Sequence, residues 1–136
     1  METIAIKACE AYREREVLAL YESVGWSAYY TRPELLREAF AASLCVYGAY
    51  HGERLVGLIR AVGDGCTVVF IQDVLVHPAY QRRGIGSMLV GTVKARFSLV
   101  RQMHLITDDI PETAAFYRSA GFLPVEQMHC RAFTKP

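Results

Sequence analysis

The chain has 136 residues, 52% of them hydrophobic and 21% charged, with a formal net charge of +1 at pH 7. That length suits one domain, 1–136, able to bury its apolar surface without disulfides or metal staples. The near-neutral, evenly mixed charge excludes the basic stripe of a nucleic-acid binder and gives no sign of a strongly acidic partner. No apolar run is long enough to span a bilayer, and no secretory signal opens the chain, so the expectation is a cytoplasmic protein with no membrane attachment.

In chain order, residues 2–7 alternate as a short strand, and residues 10–23 carry Tyr12, Val17, Leu18 and Tyr21 among charges as a helix that stops near Gly25. The aromatic stretch 26–30 leads to Thr31-Arg32-Pro33-Glu34, where Thr31 is placed to cap and Pro33 to enter the first turn of a helix reaching residue 43. Residues 44–50 and 55–62 read as strands around His51-Gly52-Glu53-Arg54, a hairpin signal, and Gly63-Asp64-Gly65 turns the chain onward. Residues 68–76, VVFIQDVLV, are rich in β-branched and aromatic types and end at His77-Pro78, so they read as a largely buried strand.

A helix is expected from residue 87 to 97, a strand over 103–107, a capped helix start in Asp108-Asp109-Ile110-Pro111-Glu112, and a helix over 113–119 ended by Gly121. Residues 122–133 are expected to form two final strands or one bent strand, the last able to pair across a homodimer. The order predicts an α/β (α+β) mixed sheet with helices on both faces. Cys9, Cys45, Cys66 and Cys130 lie far apart with no Cys-x-x-Cys pair and no His at ligand spacing, so they read as buried thiols and no metal site is expected.

Between the buried strand and the next helix stands Gln81-Arg82-Arg83-Gly84-Ile85-Gly86. At a helix start, unpaired N–H groups and the positive dipole end favour a phosphate. The glycines keep Cβ atoms away from it, and the arginines add charge. A P-loop would need Gly-Lys-Ser/Thr after a four-residue gap, and a dinucleotide fingerprint would need glycine or alanine where Leu89 stands; neither is present.

The stretch resembles the pyrophosphate loop of the GNAT superfamily of N-acetyltransferases, Gln/Arg-x-x-Gly-x-Gly/Ala. Two further elements agree: Val76-His77-Pro78-Ala79-Tyr80 before it, and Phe116-Tyr117-Arg118-Ser119-Ala120-Gly121-Phe122 beyond it. The resemblance implies the GNAT acyl-CoA N-acyltransferase fold, with a central, mostly antiparallel twisted sheet. It implies acetyl-CoA as co-substrate and an amine as acceptor. The order of aromatics, helices and loop is also similar to the arylalkylamine acetyltransferase branch.

Carried onto this chain, the resemblance gives the coenzyme A pyrophosphate to the amides of Gln81, Arg82, Arg83, Gly84, Ile85, Gly86 and Ser87. It gives the pantetheine arm to the main chain of Val74, Leu75 and Val76, on a strand that bulges and splays from its neighbour. Tyr117 matches the tyrosine that protonates the departing thiolate; the plain alternative is a ring packed beside Phe116. Asp73, a carboxylate inside an apolar strand, either faces the cleft as general base or has a buried partner, and His77 and His104 are lesser candidates. Trp26, Tyr29 and Tyr30 form an aromatic wall for the amine or a small satellite core. The expected partner is a small-molecule amine. Other readings are a protein lysine or N-terminal acetyltransferase and a non-catalytic coenzyme A-binding module.

Overall fold

The computed structural model describes residues 3–136, so the first residue of the strand expected over 2–7 lies outside the described residues. The chain divides into two compact units, residues 1–106 and 107–136, each taken by itself.

In the first unit, β1 (Ile4–Ala8), β2 (Cys45–His51), β3 (Arg54–Gly63), β4 (Val68–Val76) and β5 (Gln102–Leu105) form one sheet in sequence order. β1 to β4 pair antiparallel and β5 joins β4 in parallel. Helices α1 (Glu14–Ser23), α2 (Ser27–Tyr30) and α3 (Pro33–Ala41) connect β1 to β2, and α4 (Ile85–Arg96) makes the crossover from β4 to β5. No helix among the described residues is long and apolar enough to cross a membrane.

Residues directly opposed in a ladder point to the same face, so the register sorts the core. Leu58 faces Leu75, and these pack with Val17, Leu20 and Tyr21 of α1 and Leu36 of α3. Val17, Leu20 and Tyr21 fall at the i, i+3, i+4 spacing of a helix stripe. Full burial of each such side chain contributes about 1.5–3 kcal/mol. The opposite face carries Ala49 and Gly57, opposed in the ladder, with Ile85 of α4 against Gly57. Arg37 of α3 pairs with Glu14 of α1 at the surface.

Two ladder irregularities matter. Between Ala49↔Gly57 and Tyr50↔Leu55 the register shifts, leaving Val56 extra on β3. Between Arg60↔Asp73 and Ala61↔Ile71 it shifts again, leaving Gln72 extra on β4. Arg60 and Ala61 are consecutive and face opposite ways, so Ile71 and Asp73 do too, although a regular strand would put them on one face.

Several expected details differ. Of the four thiols expected to be buried, Cys45 is buried and Cys9 half-buried, while Cys66 and Cys130 are exposed. The first helix begins at Glu14 and not at residue 10, because Cys9 N–H still bonds Val46 C=O and Tyr12 leaves the axis to pack edge-on against Phe40, 5.0 Å between ring centres. Thr31 does not cap α3: its hydroxyl donates to the Ser27 carbonyl at 2.6 Å, closing α2, a helix the sequence reading did not separate from the aromatic stretch. In the second unit, α5 (Pro111–Ser119) begins after Ile110 without a side-chain cap. The expected final strands are absent there: residues 125–128 make a 3-10 turn, and no strand follows it among the described residues. Pro124 fixes the chain's angle before the turn, and His129 at φ 57° turns it again after it.

The β3–β4 turn is closed by Asp64, whose Oδ1 accepts the N–H groups of Cys66, Thr67 and Val68 and whose Oδ2 accepts the Thr67 hydroxyl. These bonds, the Thr67 hydroxyl's first, hold its carboxyl well below the usual carboxylate range. A depressed folded pKa contributes stability above the unfolded value of about 3.9, and this is lost as pH falls through the folded value. Asp64→Ala is therefore expected to lower Tm at pH 7, with the gap to the parent chain narrowing once the pH drops below about 4. A gap that stays constant through that range, measured by thermal melts, contradicts the assignment.

Candidate active site

β4 sets out the first part of the site. Its ladder with β5 runs from Val68↔Gln102 to Ile71↔Leu105 and stops, while β4 continues to Val76. On the β5 side, the main chain from Gln72 to Val76 therefore has no strand partner. This is a fork whose exposed edge can accept an extended ligand as a strand accepts a neighbour. The fork opens where Gln72 is extra on β4, so the bulge lies just ahead of Val74, Leu75 and Val76 rather than within them. Leu75 is buried; Val74 and Val76 are half-buried.

After Val76 the chain passes through a 3-10 turn, Pro78–Tyr80, tied by Ala79 N–H donating to His77 Nδ1 at 3.0 Å. Tyr80 is buried with its hydroxyl 2.7 Å from His51 Nδ1. Arg54 and Arg83 lie over the same Tyr80 ring, 5.5 and 5.2 Å from its centre. Gln81 Nε2 donates to the Val76 carbonyl at 3.0 Å, tying the loop back to the strand it leaves.

Arg82 and Gly84 both take positive φ, 65° and 81°. Left-handed residues alternating with others turn successive N–H groups inward, the backbone concavity that binds anions. Gly84 is the N-cap of α4 and supplies no side-chain bond, so the first-turn N–H groups have no cap from it. Arg82, Arg83 and Ser87 are exposed, Gly86 is half-buried, and the Ile85 side chain is buried in the core, leaving only its main chain for the loop.

The sequence argument gave Gly84 the task of keeping a Cβ away from a phosphate; within the protein itself an added Cβ there would meet nothing within 4 Å. The glycine is needed for its left-handed backbone. Gly84→Ala is thus expected to destabilise the chain by about 1–2 kcal/mol, and Gly84→Asn by less, because asparagine tolerates that conformation. Equal urea midpoints for the parent chain and both variants contradict this.

Asp73 has partners. Its Oδ2 accepts the Tyr21 hydroxyl and Arg60 Nε, both at 2.8 Å, and its side chain is 2% exposed. Arg60 also donates to the Ser43 hydroxyl at 3.2 Å and lies over the Phe40 ring. Burial alone would lower the Arg60 pKa, but the Asp73 charge and hydrogen bond, helped by Tyr21 and Tyr29, together outweigh it and the guanidinium sits above its usual range. Burial, then the Asp73 carboxylate, pushes the Tyr21 phenol well above its usual value, so it stays a donor. Of the two sequence readings of Asp73, this arrangement supports the partnered acid. The residues that sequence reasoning missed are Arg60 and Tyr21. Arg60 left a signal, since a guanidinium inside the apolar run LVGLIRAV calls for a buried counter-charge.

Trp26 and Tyr29 gather around Tyr21, their ring centres 5.8 and 5.2 Å from it and 6.2 Å from each other. Tyr30 packs on the same cluster, and Gln72 Nε2 reaches the Tyr29 hydroxyl at 3.4 Å. The aromatic group is thus a half-buried flank of the core that touches the strand at its bulge. Among the lesser base candidates, His77 is occupied by the Ala79 N–H, and His104 is half-buried in β5 opposite Phe70.

In the second unit, Tyr117 lies on α5 with its ring edge-on to Phe116 (4.9 Å) and Phe122 (6.1 Å). No group of this unit bonds its hydroxyl, and burial pushes its pKa above the usual phenol value. No cluster of three or more potential metal ligands is found among the described residues.

A forked parallel strand pair followed by a left-handed, helix-opening loop defines a fold of the acyl-CoA transferase class. The chain belongs to the GNAT acetyltransferase family: the family model for the acetyltransferase (GNAT) domain matches residues 42–124. An uncharacterised ycf52-like N-acetyltransferase of Prochlorococcus marinus is 32% identical over 114 residues, 79% of this chain and 61% of that protein. A soybean (Glycine max) protein named histone acetyltransferase TAP1 is 34% identical over 79% of this chain and 50% of its own length. The chain thus spans 61% and 50% of these two curated relatives. Among solved structures, a GNAT-family acetyltransferase from Streptococcus pneumoniae TIGR4 superposes with a TM-score of 0.89 at 40% identity, covering 98% of both chains. The aminoglycoside acetyltransferase AAC(6')-Iy, solved with a bisubstrate analogue, CoA-S-monomethyl-acetylneamine, shares the fold with a TM-score of 0.77 at 18% identity.

Proposed function

We propose that this chain is an acetyl-CoA-dependent N-acetyltransferase acting on the primary amine of a small molecule, by direct attack within a ternary complex. The observation that carries this reading is the β4/β5 fork opening beside the left-handed loop of Arg82 and Gly84. Both are main-chain features suited to a long ligand with an anionic middle and an amide-bearing arm.

In this reading the amides from Gln81 to Ser87 hold the pyrophosphate, and the edge of Val74, Leu75 and Val76 that β5 leaves unpaired, with the Val76 carbonyl shared with Gln81 Nε2, pairs with the pantetheine amides. Acetyl-CoA supplies the activated thioester. The half-buried rings of Trp26, Tyr29 and Tyr30 offer an apolar, cation-attracting wall for the amine. Asp73, held by Arg60 and Tyr21, fixes the bulge from which the fork opens and so acts as a positioning residue. Tyr117 is the proton donor to the departing thiolate. Its raised pKa keeps the phenol protonated at neutral pH, as a general acid requires. No covalent acyl-enzyme is invoked: Cys45 is buried, and Cys9 shares a hydrogen bond with the Tyr50 hydroxyl.

A small-molecule acceptor is favoured because the near-neutral chain carries no strong charge imbalance of the kind that draws a charged protein segment. The name of the soybean relative supports the protein-acetylating alternative. The experiment is thiol release from acetyl-CoA with aromatic amines, polyamines and peptides, run beside mass spectrometry of an acetylated protein extract. Release with small amines and an unmodified extract is expected. Lysine acetylation in the extract without small-amine turnover would replace the acceptor class. No transfer to any amine would leave a coenzyme A-binding module.

A further inference from the structure

Away from the fork and the loop, the first unit holds a half-open pocket of about 350 Å³ lined by β1, the ends of β2 and β3, residues 9–11 and the first turns of α1. None of its lining residues belongs to β4, β5 or the loop 81–87. The sheet builds it through the first ladder irregularity. Because Val56 is extra, Tyr50 opposes Leu55, and both share a face with Gly48, which opposes Leu58. A Cβ on Gly48 would sit 2.8 Å from both the Leu55 side chain and the Tyr50 ring, so this glycine lets both lie flat across the floor.

The floor is neutral and largely apolar: Leu55, Val17, the Tyr50 ring, and Cys9, whose thiol lies 3.3 Å from the Tyr50 hydroxyl. Burial is the main cause that raises both the Cys9 and Tyr50 pKa values, and the Glu16 carboxylate, which also lines the pocket, adds to each. The Lys7 ammonium rests 4.8 Å above the Tyr50 ring, so the ring already receives one cation face-on. Around the walls stand three carboxylates, Glu10, Glu16 and Glu53, against two cations, Lys7 and Arg13. Arg13 is 3.8 Å from Glu16 on a side chain 72% exposed, a weak surface pair. Glu10 and Glu53 have no ion-pair partner among the described residues.

We infer that this cavity is a second small-molecule site, distinct from the acetyl-transfer site, that takes a small organic ammonium ion with an apolar tail. The tail lies on Tyr50, Leu55 and Val17, and the ammonium faces the carboxylates of the wall. The volume is at the small end of ligand pockets, suited to a short alkyl or aryl amine.

Cys9 on the floor reports occupancy directly. The full chain is labelled with iodoacetamide at fixed pH, with or without n-pentylamine, using 1-pentanol as the neutral isostere and valerate as the anionic one. Peptide mapping separates Cys9 from the exposed Cys66 and Cys130. Pentylamine is expected to slow Cys9 alkylation about tenfold when about 90% of the sites are filled, leaving Cys66 and Cys130 unaffected, while pentanol and valerate do nothing. The Glu10→Gln/Glu53→Gln double variant, changed only at exposed side chains, should lose that protection while keeping its circular dichroism spectrum, its Cys9 labelling rate without amine and its thiol-release activity. No protection by pentylamine, equal protection by pentanol, or protection that survives in the double variant overturns the proposal. The readout needs no acetyl-CoA, so it stands or falls separately from acetyl transfer.

Discussion

Asp73→Ala is expected to destabilise the folded chain by about 3–5 kcal/mol, because it leaves the Arg60 guanidinium buried without its counter-charge. The two side chains are 6% and 2% exposed, so solvent cannot take over the role of the missing partner. Against a typical domain stability of about 5–15 kcal/mol this is a large fraction, read as a fall in urea midpoint. Arg60→Ala should cost a similar amount by stranding the carboxylate. The paired replacement Arg60→Met/Asp73→Leu, combined with Tyr21→Phe so that no buried hydroxyl loses its acceptor, should recover most of the loss, since a well-packed apolar cluster is often no worse than a buried ion pair. An unchanged midpoint for Asp73→Ala would mean that the pair contributes nothing. The isosteric Asp73→Asn separates positioning from base chemistry: a positioning role lowers turnover but preserves the shape of the pH–rate profile, whereas loss of its acidic limb would make Asp73 the base.

Tyr117→Phe carries the other large effect. Removing a general acid lowers turnover by about 10²–10⁴-fold, while acetyl-CoA affinity should hold, because the proposed contacts to the donor lie on β4 and the loop. Stability should hardly change, since no group of the second unit bonds the hydroxyl being removed. The raised phenol pKa fixes the pH dependence: the acid is present wherever pH lies below the folded pKa and is lost above it. The basic limb due to Tyr117 should therefore lie above pH of about 10. A Phe variant with parent-like turnover would leave Tyr117 as the core aromatic that its contacts with Phe116 and Phe122 already describe.

Sequence reasoning reached most of the first unit because its signals there are local. Residues 68–76 are marked by composition and closed by His77-Pro78, and the strand occupies those residues. The hairpin signal at residues 51–54 falls where β2 meets β3. What it missed depends on partners far along the chain. Strand alternation set Asp73 against Gln72, but nothing in the sequence marks Gln72 as a bulge, so the reversal that brings Asp73 to Tyr21, 52 residues away, stayed hidden. The fork is a relation between two ladders and leaves no residue pattern. The glycines of the loop were legible, but the left-handed backbone that Gly84 takes, φ 81°, was not, because a positive φ leaves no mark in the sequence beyond the glycine itself. At the C-terminal end, alternation over residues 122–133 was too short to distinguish a strand from an extended segment broken by a 3-10 turn.

The most direct measurement is a calorimetric titration of the purified chain with acetyl-CoA, with NADH and ATP as controls for nonspecific anion binding. The account predicts saturable one-to-one binding of acetyl-CoA that the two controls do not reproduce. A well-folded chain that binds acetyl-CoA no better than NADH or ATP would contradict it, and Gly84-Ile85-Gly86 would then be a structural turn.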